Sequence, residues 1–340
     1  MPVGGTLGKI GDYWYGPHIA SGAKGDVYYA STRGIDGIPE AALKFPATNR
    51  EVRTLRALCE GPRPCLGIPR MLAAEKHGRK PYLVTELLSR LSLKEVNHRL
   101  WSLKTAERWE PVRLIGRLLL RRLKAMHERG FVHCDIHPSN VIFGKRYYNT
   151  PAERFMPFFI DFGLAHPHPD GDPIEGHAGT ITFTSIRSMD KRPRLPRDDV
   201  EALGWMLVYS VLGRLPWLRS IESVDWNDKA RRAVMVKDVQ FQKAMSLGSG
   251  KEALEVRFPK IPKELPAYLR LCRNFGGDMD VGEAAKPDYE ALDRLLGGVG
   301  GDRGLDPLFD FDELEGEDEE ERDDLQALMG SLGRTLYLSG

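Results

Sequence analysis

Two short motifs narrow what this chain can fold into more than any other feature. The first is Phe131-Val132-His133-Cys134-Asp135-Ile136-His137-Pro138-Ser139-Asn140, and twenty-one residues beyond its Asn comes Asp161-Phe162-Gly163. Each lies beside a short apolar run, Val141-Ile142-Phe143 and Phe158-Phe159-Ile160. Phosphoryl transfer from a nucleotide needs an acidic residue for the attacking hydroxyl and oxygen ligands for Mg²⁺. Asp135 supplies the first, and Asn140 and Asp161 supply the second. Either motif alone is a weak signal; the two in this order and spacing point to that chemistry.

The 340 residues leave room for one large two-part unit or two ordinary domains. Apolar residues make up 41% and charged residues 29%, the balance of a globular protein in water. No run of 18 apolar residues exists, so no membrane span is expected, and no basic region followed by an apolar core suggests a secretory signal. Cys59, Cys65, Cys134 and Cys272 lack C-x-x-C spacing, which reads as reduced thiols without a zinc site. An intracellular protein, cytoplasmic or nuclear, is expected. The net charge of +1 hides an asymmetry: residues 301–340 hold 13 acidic and 3 basic residues, leaving 35 acidic and 46 basic before them. The acidic run reads as a solvated, disordered tail.

Strand-like runs fill the first part of the chain. Tyr13 to Ala20 and Val27 to Ala30 flank Ser21-Gly22-Ala23-Lys24-Gly25, and Ala41 to Phe45 is a third apolar run. Thr48 to Cys59 has helical spacing, and two further strands fit Arg70–Glu75 and Tyr82–Leu87. After Leu88 the pattern turns helical, with a long periodic segment from Thr105 to Arg129 and an all-round apolar one from Asp198 to Leu212. A small β-rich half therefore precedes a larger helical half, a layout that places a nucleotide between them.

Gly22 and Gly25 sit in a turn between two strands, where backbone N–H groups can approach phosphate oxygens. Lys44 lies on a strand among small apolar residues, where an ammonium needs an anionic partner. Glu51 is the candidate carboxylate. It either pairs with Lys44 or closes a capping box with Thr48.

At these residues the chain resembles a protein kinase of the casein kinase 1 superfamily, closest to the vaccinia-related branch. The resemblance runs from about Ile10 to Leu296. Beyond the catalytic motifs it rests on Gly179-Thr180-Ile181-Thr182-Phe183-Thr184-Ser185-Ile186, on Arg197-Asp198-Asp199-Val200-Glu201-Ala202-Leu203-Gly204, on Leu212-Gly213-Arg214-Leu215-Pro216-Trp217 and on Lys286-Pro287-Asp288-Tyr289. It implies an α+β, bilobal protein-kinase-like fold: a β-rich N-lobe over residues 1–88, a helical C-lobe over 89–300 and an acidic tail over 301–340. It implies ATP and Mg²⁺ as cofactors and transfer of the γ-phosphate to Ser or Thr of a protein. Lys44 would hold the α/β-phosphates and pair with Glu51. Asp135 would accept the substrate proton with His137 beside it, Asn140 and Asp161 would bind metal, and Asp199 would hold the catalytic loop. Ile19, Val27, Ala42 and Ile142 would sandwich adenine, Thr85 would be the gatekeeper, and Glu86 to Leu88 the hinge.

Three departures from the family pattern stand out. The first glycine of the phosphate loop is Ala20. Cys134 replaces the Arg that pairs an activation-loop phosphate, which implies activity without loop phosphorylation. His137 replaces a phosphoryl-neutralising Lys. Ala20 and His137 leave open a pseudokinase scaffold that binds nucleotide or partners. The string H-x-D-x-H-P-x-N also resembles aminoglycoside phosphotransferases, a small-molecule alternative. Lys191, Arg192, Arg194 and Arg197 form a basic cluster that suggests acidic or already phosphorylated protein substrates. No membrane or nucleic-acid partner is expected, and the protein is expected to be a monomer.

Overall fold

The computed structural model describes residues 7–22, 24–34, 38–60, 65–146, 154–168, 179–190, 192–275, 286–297 and 327–328. The acidic stretch 310–324 and Lys191 therefore lie outside the described residues. The chain divides into two compact units. One comprises residues 1–92 with 140–166, the other 93–139 with 167–340. The stretch Asn140–His166 thus packs with the N-terminal residues, although the chain order sets it in the second half.

The first unit is built on a six-stranded antiparallel sheet. Its strands are β1 (Gly8–Ile10), β2 (Tyr13–Gly22), β3 (Gly25–Ser31), β4 (Ala41–Phe45), β5 (Met71–His77) and β6 (Lys80–Glu86), in the order β1-β2-β3-β4-β6-β5. Side chains alternate between the two faces of a strand, so register decides which residues share a face. Ile10, Ala30, Ala41, Leu43, Tyr82 and Val84 form a buried cluster on one face, with Tyr13, Tyr15, Tyr28 and Phe45 packed around it. The other face carries Val27 opposite Lys44, Tyr29 opposite Ala42, and Ala42 opposite Thr85. The Gly22↔Gly25 pair closes the β2–β3 hairpin. A Cβ on Gly25 would fall 1.9 Å from the Pro46 carbonyl oxygen, so only glycine fits there.

Helix α1 (Asn49–Cys59) follows β4. Thr48 caps it, its hydroxyl accepting from the Glu51 amide at 3.1 Å. The helix buries Glu51, Thr54, Leu55 and Leu58. In the same unit Val141–Phe143 pairs antiparallel with Pro157–Phe159, and the Ile160 amide donates to the Asn140 carbonyl at 3.0 Å.

The second unit is helical. Helix α2 (Leu93–Leu100) and the 24-residue α3 (Thr105–Glu128) precede the helix Pro196–Leu212, against which α3 packs. Nearly every side chain of Pro196–Leu212 is buried, the apolar run Trp205–Val208 and also the charged Arg197, Asp198, Asp199 and Glu201 of its first turns. Gly204 lets Glu264–Asn274 close on it: a Cβ at Gly204 would come within 2.7 Å of Leu269. Lys229–Ser246 and Tyr289–Leu295 complete the unit. No helix among the described residues is long and apolar enough to cross a membrane. The first unit is thus sheet-built and the second helical, the α+β division expected from the sequence.

Candidate active site

Lys44, Glu51, Asn140 and Asp161 lie in the first unit. Lys44 Nζ donates to Glu51 Oε1 at 2.7 Å and to Asp161 Oδ1 at 2.9 Å. The Lys44 side chain is 10% exposed and that of Glu51 3%, so this pair is largely shielded from water, whereas Asp161 stays partly exposed. Burial works to lower the Lys44 pKa, but the two carboxylates outweigh it and hold it above the usual lysine value. Burial pushes the Glu51 carboxyl up, against the pull of Lys44. The two readings of Glu51 prove compatible: its backbone takes the Thr48 cap while its side chain reaches Lys44.

Asp161 holds a left-handed backbone, φ 61°, and its Oδ1 also accepts from the Gly163 amide at 3.2 Å. Among the described residues the only other non-glycine with positive φ is Cys134, at 68°. Such backbone costs about 1 kcal/mol or more and collects at functional sites, and here both instances fall inside the two motifs. A Cβ built on Gly22 would lie 3.9 Å from Asp161 Oδ2, so the hairpin tip, Lys44 and Asp161 converge. Asn140 is buried at the end of the turn Pro138–Asn140, one hydrogen bond from the strand that leads into Asp161.

The proposed adenine contacts follow strand alternation. Val27 and Ala42 are half-buried on the Lys44 face, whereas Ala41 and Leu43 are fully buried on the other. Ile142 is half-buried between the buried Val141 and Phe143, and Ile19 is half-buried on β2. The Glu86 amide donates to the Arg70 carbonyl at 2.9 Å, and its carboxylate accepts from the Arg70 amide at 2.8 Å. Leu88 bridges to Lys145.

Asp135, His137, Thr180 and Asp199 lie in the second unit. Asp135 Oδ1 accepts from the Thr180 amide at 2.8 Å and from the Thr180 hydroxyl at 2.9 Å. His137 Nε2 lies 3.7 Å from Asp135 Oδ2. Asp199, fully buried, accepts from the His133 amide at 2.6 Å and the Cys134 amide at 2.9 Å, which fixes the loop around Asp135. Burial works to raise the Asp199 carboxyl, but the His127 side chain and the His133 amide outweigh it and hold it below the usual carboxylate range. His127 Nε2 is 2.9 Å from Asp199 Oδ2, and its Nδ1 is 2.5 Å from the Tyr289 hydroxyl.

Two parts of this site were not read from the sequence. Thr180 sits 45 residues from Asp135, and only its place in Gly179–Ile186 hinted at a role. Asp161 as a second partner of Lys44 was also missed, because no local spacing links residues 117 apart. The basic cluster fares differently from its expectation. Arg194 and Arg197 are buried, and Arg197 donates to the Phe275 carbonyl, so neither guanidinium lies on the surface.

The donor set suits Mg²⁺ bound with phosphates. Asp161 and Asn140 offer hard oxygens, and the lone ammonium of Lys44 faces two carboxylates, which favours an added cation. The family model for the protein kinase domain matches residues 46–259, a span holding Glu51, Asp135, Asn140, Asp161 and Asp199. The chain belongs to the protein kinase family.

Proposed function

We propose that this chain is an ATP- and Mg²⁺-dependent Ser/Thr protein kinase of the casein kinase 1 superfamily, nearest its vaccinia-related branch. The observation that carries the reading is the buried Lys44 ammonium held between Glu51 and Asp161. An inert scaffold has no need to hold a nearly buried ammonium against one buried and one partly exposed carboxylate, since that arrangement adds little net stability. ATP phosphates entering beside Gly22 and Gly25 would meet Lys44. Mg²⁺ held by Asn140 and Asp161 would neutralise charge on the phosphate oxygens. Asp135, steadied by Thr180 and by the Asp199-anchored loop, would orient the substrate hydroxyl and take its proton. His137, 3.7 Å from the second oxygen of Asp135, would neutralise charge on the transferred phosphoryl group in this reading.

The lobe boundary near Leu88 and a monomeric, cytoplasmic or nuclear protein belong to the same reading. So does independence from activation-loop phosphorylation. Cys134 supplies no guanidinium, and Asp135 already has Thr180 as a partner. Protein hydroxyls, acidic or pre-phosphorylated in context, are the proposed substrates.

The deciding experiment incubates the protein with radiolabelled ATP and Mg²⁺ and offers casein, a histone and an aminoglycoside in parallel. Label on casein or histone supports the reading. Label on the aminoglycoside alone moves the chain to small-molecule phosphorylation, and no label leaves a scaffold. In the same preparation Mg²⁺-ATP should raise the melting temperature by mass action, and Asp161→Ala should remove the Mg²⁺-dependent part.

A further inference from the structure

Lys243 is the most deeply buried lysine of the second unit, at 0% exposure, and nothing in the reaction described above uses it. It lies on the helix Lys229–Ser246, facing the segment that carries Thr180. Its ammonium donates to the Ile181 carbonyl at 3.1 Å and to the Thr184 carbonyl at 2.5 Å. It also stands 5.1 Å from the Trp217 ring centroid and 5.9 Å from that of Trp205.

The neighbouring groups do the same work. Trp217 Nε1 donates to the Thr182 carbonyl at 2.9 Å, and Gln240 Nε2 to the Ile186 carbonyl at 3.2 Å. Glu201 Oε1 accepts from the Ile186 amide at 2.9 Å and from Trp205 Nε1 at 3.1 Å. Inside the segment the Thr184 hydroxyl and amide close back on the Thr180 carbonyl, both at 3.1 Å. The carbonyls of Ile181, Thr182, Thr184 and Ile186 are thus each gripped by a side chain from the helical unit, in a stretch with no strand or long helix of its own.

We propose that Lys243 is a positioning residue for the reaction: by holding the Ile181 and Thr184 carbonyls it sets the Thr180–Ile186 segment so that Thr180 meets Asp135. A buried ammonium is costly, and a core of this kind is filled more cheaply by an apolar side chain. Two hydrogen bonds to a main chain that ends on the base account for keeping it. The proposal rests on the kinase reading for its catalytic consequence, but the mechanical link stands apart from it.

The test uses the full chain with Lys243→Met, which keeps length and loses the donors, and Trp217→Phe, which keeps an aromatic ring but loses the bond to Thr182 and part of the packing on Lys243 and Trp205. Hydrogen exchange is followed at the amides of Thr180 and Ile186 and along Pro196–Leu212. In either variant exchange at Thr180 and Ile186 should rise about tenfold or more while the helix stays protected. Turnover on casein should fall by up to about a hundredfold, the scale of an ångström misplacement, with the KM for ATP unchanged. In a Thr180→Val background Lys243→Met should cost almost nothing further in kcat, because both act through one contact. Unchanged exchange at Thr180 and Ile186, or kinetic losses that simply add, overturn the proposal. If Lys243→Met does not fold, Trp217→Phe decides by the same criteria. If the wild type labels no protein, the exchange measurement still decides the mechanical link, while the kinase reading fails separately.

Discussion

Thr180 gives both its amide and its hydroxyl to one oxygen of Asp135, at 2.8 and 2.9 Å. The Asp135 carboxylate is thereby held in one rotamer by a segment 45 residues away. Hydrogen bonds to a charged group contribute about 1.5–3 kcal/mol. Thr180→Val keeps the shape and the amide but loses the hydroxyl donor. It should lower kcat on casein by about tenfold or more and leave the KM for ATP alone, and Thr180→Ser should restore most of the loss. Steady-state kinetics on the three proteins check this.

Asp135 and His137 are separable. Asp135→Asn keeps the Thr180 contacts in part but removes the proton acceptor, so kcat should drop by about two orders of magnitude or more, with ATP binding retained. His137 lies 3.7 Å from the same carboxylate, and the surrounding loop is fixed by Asp199. His137→Lys would put an ammonium beside Asp135 and tie up the second oxygen. Turnover should fall rather than rise, as read by label transfer to casein at saturating ATP.

Much of the site was legible because its chemistry is local. Asp135, Asn140 and Asp161 stand out by spacing and Lys44 as a lone charge on an apolar strand that folds as β4; the structure joins Lys44 to Glu51 and Asp161, and Asp135 to Thr180, while their roles rest on the proposed function. The hairpin strands followed from the runs that flank a Gly-containing turn, and the helix Pro196–Leu212 from its largely apolar stretch Trp205-Met206-Leu207-Val208-Tyr209; both ran a few residues longer than expected. What stayed hidden breaks the period rules or spans long distances. The helix Lys229–Ser246 turns Lys243 inward and leaves Val234 and Phe241 exposed, so its polar and apolar residues point the wrong way for a pattern reading. β1 has three residues, too few for alternation to register. Arg194 and Arg197 look like a surface cluster in the sequence and are buried in the fold.

Lys44 and Glu51 separate stability from function. Lys44→Met would leave Glu51 buried with its remaining partner gone and its Oε2 already lacking a hydrogen bond. Breaking a buried pair on one side costs about 3–5 kcal/mol. Lys44→Met with Glu51→Leu should recover most of that stability in chemical denaturation, since two apolar groups replace two charges. Phosphate transfer should be lost in both. Recovered transfer in the double variant would remove Lys44 from the mechanism.

Lys243 also sets a pH dependence. Burial lowers its pKa to about 7, against the opposing pull of Glu201, the carboxyl that faces it. An unfolded lysine keeps its proton to about pH 10.4. Between about pH 7 and 8.5 the unfolded chain therefore binds more protons at this position than the folded one, and stability should rise with pH by at most about 1.4 kcal/mol per unit. The raised thiols of Cys59 and Cys272 act in the opposite sense towards the upper end of this window, where unfolded thiols begin to ionise, and the raised phenols do so only at higher pH; both are common to wild type and variant, so the difference in slope reports Lys243. Asp199, held low, acts only in acid. A neutral Lys243 amine still carries two N–H groups for its two carbonyls, so proton loss should not release the Thr180 segment. Urea denaturation of the wild type and Lys243→Met across pH 7–8.5 should show a more positive slope in the wild type. Parallel stability curves would mean that Lys243 keeps its proton throughout that range.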